Sequence, residues 1–134
     1  MGNSEKTIKS LGEAELEIMQ VLWAAGEPVP SNYIWKELQG KRSWQLSTLM
    51  TSLSRLGSKG FVDCNRETGT NLYMYIISEN DYKARESRNF LERLYNNSVQ
   101  SLITTLYSNK VIKSADVEEL KRFLDQLERE EEGE

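Results

Sequence analysis

The stretch that most constrains this chain is Ser43–Gly60, SWQLSTLMTSLSRLGSKG. Leu46, Leu49, Leu53 and Leu56 recur there at spacings of three, four and three. On a helical wheel they fall within roughly 80° of one another, so one side of a helix faces a core. The opposite side carries Ser47, Thr51, Ser54, Arg55 and Ser58, with Thr48 and Met50 on the flanks and no acid anywhere. Solvated helix faces commonly mix Glu and Lys. Short hydroxyls with one arginine instead suit a helix lying against a phosphate-rimmed groove and touching base edges. The competing reading is an ordinary amphipathic helix with a small-residue face, on which Arg55 pairs with an acid of the same chain.

Charge distribution favours the first reading. The 134-residue chain has a net charge of -4, yet between Glu37 and Asp63 the only charges are Lys41, Arg42, Arg55 and Lys59. Acid collects at the end, in LEREEEGE. A local basic face matters more to DNA than the total. Lys41, Arg42, Lys59 and Arg66 flank the stretch as candidate phosphate contacts. The whole candidate DNA surface is Lys41, Arg42, Ser43, Trp44, Gln45, Ser47, Thr48, Met50, Thr51, Ser54, Arg55, Lys59, Arg66 and Thr68.

Catalysis is not expected. There is no histidine and a single cysteine, Cys64, which excludes Ser-His-Asp and Cys-His machinery and most zinc sites. No metal or other cofactor is predicted. A lone cysteine forms no internal disulfide and suits a reducing cytoplasm. No apolar run reaches the length of a membrane span and no secretory segment is visible. Lys6 stands where a myristoylation motif wants Ser or Thr. The expected localisation is cytoplasmic, without membrane insertion.

In chain order, residues 1–10 read as a flexible N-terminus. A first helix is expected from Leu11 to Ala25, burying Leu16, Met19, Leu22 and Trp23 and ended by Gly26. Glu27-Pro28-Val29-Pro30 reads as a stiff connector. Ser31 caps a short helix, Asn32–Gln39, with Ile34 and Leu38 inward. After the turn Gly40–Ser43 comes the helix described above, so two helices joined by a tight turn form a helix-turn-helix. Phe61–Asn65 and Leu72–Ile77 are β-branched and aromatic, and the Arg66–Asn71 turn between them makes a hairpin. A hairpin directly after the reading helix is the mark of a winged helix. It holds the helices together, and its tip is a further candidate groove contact.

Beyond Ser78 the pattern is helical again. Asp81–Tyr95 is broken by Asn96-Asn97-Ser98, whose side chains compete for backbone hydrogen bonds. The stripes that follow are narrow and belong to short helices, which suits burial against a second copy; the alternative is that they fold back onto the winged helix. The expected dimer seam is Leu91, Leu94, Val99, Leu102, Ile103, Leu106, Val117, Leu120, Leu124 and Leu127. The expected fold is therefore mostly α with a small β-hairpin (α+β). A winged helix-turn-helix domain (11–78) is followed by a helical dimerisation region (79–128) and an acidic tail (129–134).

Five blocks carry a resemblance: LGEAELEIMQVLWAAGE, SWQLSTLMTSLSRLGSKGFV, LYMYIISENDYKARES, FLERLYNNSVQSLI and VEELKRFLDQLE. Together they span about residues 8–128 and resemble the penicillinase-repressor (BlaI/MecI) family. The block with Thr48, Thr51, Leu53, Arg55, Leu56, Lys59 and Gly60 is similar to that family's recognition helix. The resemblance implies a cytoplasmic homodimer that represses transcription from a palindromic double-stranded operator. It also implies release by proteolysis, set off by a membrane sensor protease that answers a β-lactam-type signal. A cleavage region is expected at Asn96, Asn97, Ser98, Val99, Gln100 and Ser101, the most openable point between reader and seam. Family members commonly carry Ser-Pro-Lys after the tryptophan where this chain has Gln45-Leu46-Ser47, a departure that bears on the operator sequence and not on the fold. The reading from a different class is a winged helix that binds protein and has no DNA role.

Overall fold

The computed structural model describes residues 10–133. The segment expected to be flexible, residues 1–10, lies outside them except for Ser10. The elements run in the order α1 (Glu13–Ala25), β1 (Val29–Pro30), α2 (Ser31–Leu38), α3 (Leu46–Ser58), β2 (Val62–Asn65), β3 (Leu72–Tyr75), α4 (Glu79–Tyr95), α5 (Val99–Ser108) and α6 (Ser114–Glu132). This is the expected α+β arrangement, a helix-turn-helix followed by a hairpin.

Three details differ from expectation. The Val29-Pro30 connector is a strand: Val29 pairs with Tyr73 and Pro30 with Leu72, giving an antiparallel sheet in the order β1-β3-β2. Proline is tolerated there because β1 is an edge and needs no second row of donors. Second, α2 starts at Ser31, after Pro30, and Ser31 makes no capping bond. Third, Leu46 is 51 % exposed although Leu49, Leu53 and Leu56 are buried. As the first residue of α3 its side chain leans back toward the N-terminus, past the end of the packed face.

The core gathers Ile18, Met19, Val21 and Leu22 from α1, Ile34 and Leu38 from α2, the three buried leucines of α3, and Phe61, Val62 and Tyr73 from the wing. Ile18 and Val21 replace the expected Leu16 and Trp23, which are only half-buried. Tyr82 of α4 closes this core. Its ring lies 5.9 Å from both Trp23 and Phe61, and its hydroxyl accepts a 2.8 Å bond from the Leu11 N–H. Trp23 donates to the Ile77 carbonyl at 2.9 Å. Gly60, at φ +84, turns the chain from α3 into β2, a conformation that favours glycine.

The chain divides into two compact units, residues 1–87 and 88–134, with the change falling inside α4. In the second unit Asn96 and Asn97 adopt left-handed φ of 50° and 66°, so the predicted break is a built one. Ser98 then caps α5, its hydroxyl accepting from the Ser101 N–H at 3.1 Å. The loop before α6 is closed by Val111 and Ile112 N–H groups donating to the Leu106 carbonyl. The acidic run expected as a separate tail continues α6 to Glu132. Neither α5 nor α6 contains a buried residue.

Candidate nucleic-acid interface

α3 forms because Leu49, Leu53 and Leu56 bury one side of it against α1, α2 and β2. That burial turns the other side outward. Gln45, Ser47, Thr48, Met50, Thr51, Ser54 and Arg55 are all exposed. Gln45 is the N-cap and makes no side-chain capping bond, so the first-turn N–H groups have no side-chain partner of the kind that would compete with an anion. No acid lies in the first turn.

The wing stands beside this face. Asn65 accepts from the Glu67 N–H at 2.8 Å and Thr68 donates to the Thr70 carbonyl at 3.1 Å, shaping a tight tip. Arg66 and Thr68 are exposed on it. Met50, Ser54 and Gly57 of α3 share a groove of about 450 Å³ with Cys64, Arg66 and Asn71 of the wing. Lys41 and Ser43 are exposed in the turn before α3.

Three expected contacts are engaged within the chain instead. Trp44 is only 5 % exposed. Its indole N–H donates to Glu17 at 3.0 Å and its carbonyl accepts from Trp35 at 3.3 Å. It is a prop under the turn, because a ring of that size gains more from the core than from solvent. Arg42 donates to Glu17 through Nε at 3.2 Å and through a terminal nitrogen at 2.8 Å, with Glu13 at 4.0 Å and the Trp44 ring centroid at 5.7 Å. Lys59 donates to both oxygens of Glu15 at 2.9 Å. The Arg42 bonds, aided by the Trp44 N–H, hold the Glu17 carboxyl below its ordinary value against the opposing effect of burial. At Glu15 burial acts to raise the value, and the Lys59 and Gly12 bonds outweigh it, so it too is lowered.

Glu15 and Glu17 are therefore part of this region, and the sequence did not single them out. An acid in the first turn, as Glu15 is, reads as a partner of the helix dipole, and Glu17 one turn on reads as a solvated side chain. The usable signal was a mismatch, four cations between Glu37 and Asp63 with no local acid to answer them. Lys41, Arg55 and Arg66 make no ion pair among the described residues.

The expected seam residues lie at the end of α4 and on α5 and α6. Leu91, Leu102, Ile103, Leu106, Val117 and Leu120 are half-buried, whereas Leu94, Val99, Leu124 and Leu127 are exposed. Val99 is 60 % and Leu124 52 % exposed. Of the expected cleavage region, Asn96–Ser98 forms the break and Val99–Ser101 the first turn of α5.

A family model described as Penicillinase repressor matches residues 11–126. The chain is 31 % identical over 121 residues to the penicillinase repressor of Bacillus licheniformis, covering 90 % of this chain and 94 % of that one. It is 29 % identical over 114 residues to the methicillin resistance regulatory protein MecI of Mammaliicoccus sciuri, covering 85 % and 92 %. Among solved structures it is similar to the monomeric form of Bacillus licheniformis BlaI in complex with the blaP half-operator. That likeness has 35 % identity and a TM-score of 0.49, over 56 % of this chain and 90 % of the other.

Proposed function

The chain belongs to the penicillinase repressor family, and on that premise we propose that it is a DNA-binding transcriptional repressor that reads its operator with α3. The family is one of repressors and not of enzymes. The observation that carries the reading is the outward face of α3, which is exposed, acid-free and made of hydroxyls with one arginine. On it Arg55, Thr48, Thr51 and Ser47 read or frame base edges, joined by Gln45, Met50 and Ser54. Lys41, Ser43, Arg66 and Thr68 meet the phosphate backbone on either side.

The repressor works as a homodimer on a palindromic operator. Exposed apolar residues on α4, α5 and α6 support this, since a self-contained unit of that size would cover them. Two identical readers need half-sites about one helical turn apart, or a multiple of it. A DNA reader acts where the DNA is, in the cytoplasm, and among the described residues no helix is long and apolar enough to cross a membrane.

Repression ends by a cut near Asn96–Ser101, made in answer to a β-lactam-type signal passed on by a membrane sensor protease. The left-handed Asn pair supports a weak point here, because neither residue continues a helix. A tethered second reader raises avidity about 10²–10⁴-fold, and a cut between reader and seam loses much of that factor without touching a DNA contact.

The test is selection of duplexes from a random pool by the full-length protein, followed by limited proteolysis. A palindromic consensus is expected, with a fragment ending near Asn97 that stays folded and binds the full site far more weakly than the intact chain. No enrichment and no retention on random DNA at low salt would favour a protein-binding module. Equal affinity of fragment and intact chain would remove the release mechanism.

A further inference from the structure

We propose that Glu15 and Glu17 of α1 are positioning residues that withhold Lys59 and Arg42 from the DNA backbone and so restrain sequence-independent binding. The inference rests on the DNA-binding reading above.

The two captured cations bracket the reading helix. Arg42 precedes its N-terminus and Lys59 is its C-cap. At both places a basic side chain would ordinarily be counted as a phosphate contact. Here each is answered by an acid from another element, 25 residues away for Arg42 and 44 for Lys59. Both acids are largely covered, with side chains 16 % and 13 % exposed for Glu17 and Glu15. Each also accepts from a second donor, the Trp44 indole for Glu17 and the Gly12 N–H, at 3.3 Å, for Glu15.

Giving Arg42 to a phosphate would strip a largely covered carboxylate of two of its three donors. Leaving a desolvated charge under-bonded is costly. The phosphate would return little. Sequence-independent binding draws on release of counterions condensed on DNA, about one per phosphate neutralised. A cation already paired with a carboxylate of its own chain neutralises no phosphate unless that acid is left unpaired. The positive charge at the interface that no ion pair holds is therefore carried by Lys41, Arg55 and Arg66, and the clamps also tie both ends of α3 to α1.

The experiment uses the full chain on a random-sequence duplex, titrated by fluorescence anisotropy across a range of salt. Glu17→Gln keeps an acceptor for the Trp44 indole and removes the charge that holds Arg42. It should steepen the fall of log K with log salt by about 0.9, so that its advantage over wild type grows about eight-fold for each ten-fold drop in salt. Adding Arg42→Ala to it should restore the wild-type slope. Arg42→Ala alone, and Lys59→Ala alone, should leave the slope unchanged. A flattening of about 0.9 by either single substitution would overturn the proposal, since that cation would then be a phosphate contact. An unchanged slope in Glu17→Gln would overturn it as well. If Glu17→Gln fails to fold, the two alanine variants still decide. Wild type that binds no DNA at all would instead remove the functional reading, and this inference with it.

Discussion

Residues 1–87 contain all fifteen buried apolar residues found among the described residues, and residues 88–134 contain none. The two stretches do not differ in kind of sequence. Both carry leucines at helical spacing, and Val117, Leu120, Leu124 and Leu127 repeat at three, four and three just as the α3 set does. What differs is the presence of other elements to receive the stripe. α3 has α1, α2 and β2 against it, whereas α6 holds Phe123 and Leu124 more than half exposed and Leu127 43 % exposed in a single chain. Equal periodicity therefore gives a finished core in one unit and an unfinished surface in the other.

The contrast is broken most severely from the first unit. Phe61 is fully buried against Tyr82, and Phe61→Ala should destabilise that unit by about 3–5 kcal/mol. Urea unfolding followed by Trp fluorescence should show the loss, with DNA binding failing alongside it. A change under 1 kcal/mol would mean that the site collapses to fill the gap.

Breaking the second unit should leave the first standing. The double variant Leu120→Asp, Leu124→Asp puts charge into the proposed seam. Sedimentation should then report monomer while the near-ultraviolet signature of residues 1–87 persists, and affinity for a full palindromic site should fall toward that of one reader, about 10²–10⁴-fold. A persistent dimer would move the seam elsewhere.

Within the first unit, Arg55 sharpens the comparison between free and captured cations. Arg55→Ala should cost about 1–3 kcal/mol on the operator and less on random DNA. Equal losses on both would make Arg55 a phosphate contact only.

The smallest effect is on acid stability. Glu15 and Glu17 are both held below the ordinary carboxylate value of 4.5, Glu17 chiefly by its bonds from Arg42, and Glu15 by Lys59 and Gly12 in spite of burial. A carboxyl whose folded value is depressed contributes stability that is present above its unfolded value and lost as pH falls through the folded one. The thermal stability of wild type should therefore fall as pH drops below about 4.5. Glu17→Gln should be less stable at neutral pH and lose less on acidification. Parallel pH curves for the two would show that the pair contributes nothing.

Much of the fold was legible along the chain. The change from period 3.6 to alternating aromatic and β-branched residues marked the wing, and Asn96-Asn97-Ser98 marked the helix break, because these are local backbone preferences. The β1 pairing was not legible. Val29 meets Tyr73 across 44 positions, and two residues beside a proline carry no pattern of their own. Trp44 was misplaced for a related reason: an indole next to a basic turn suits either a groove or a core, and only Glu17 and Trp35 decide between them.

By itself the sequence determined the outward face of α3, since a stripe of leucines leaves its acid-free complement facing away from them whatever the core contains. Only the tertiary structure decided which of the four neighbouring cations are available to DNA. Lys41 and Arg55 stay unpaired, while Arg42 and Lys59 are held by Glu17 and Glu15. Charge pairing depends on distance in space, and α1 brings those acids within 3 Å of cations that the chain keeps 25 and 44 residues away.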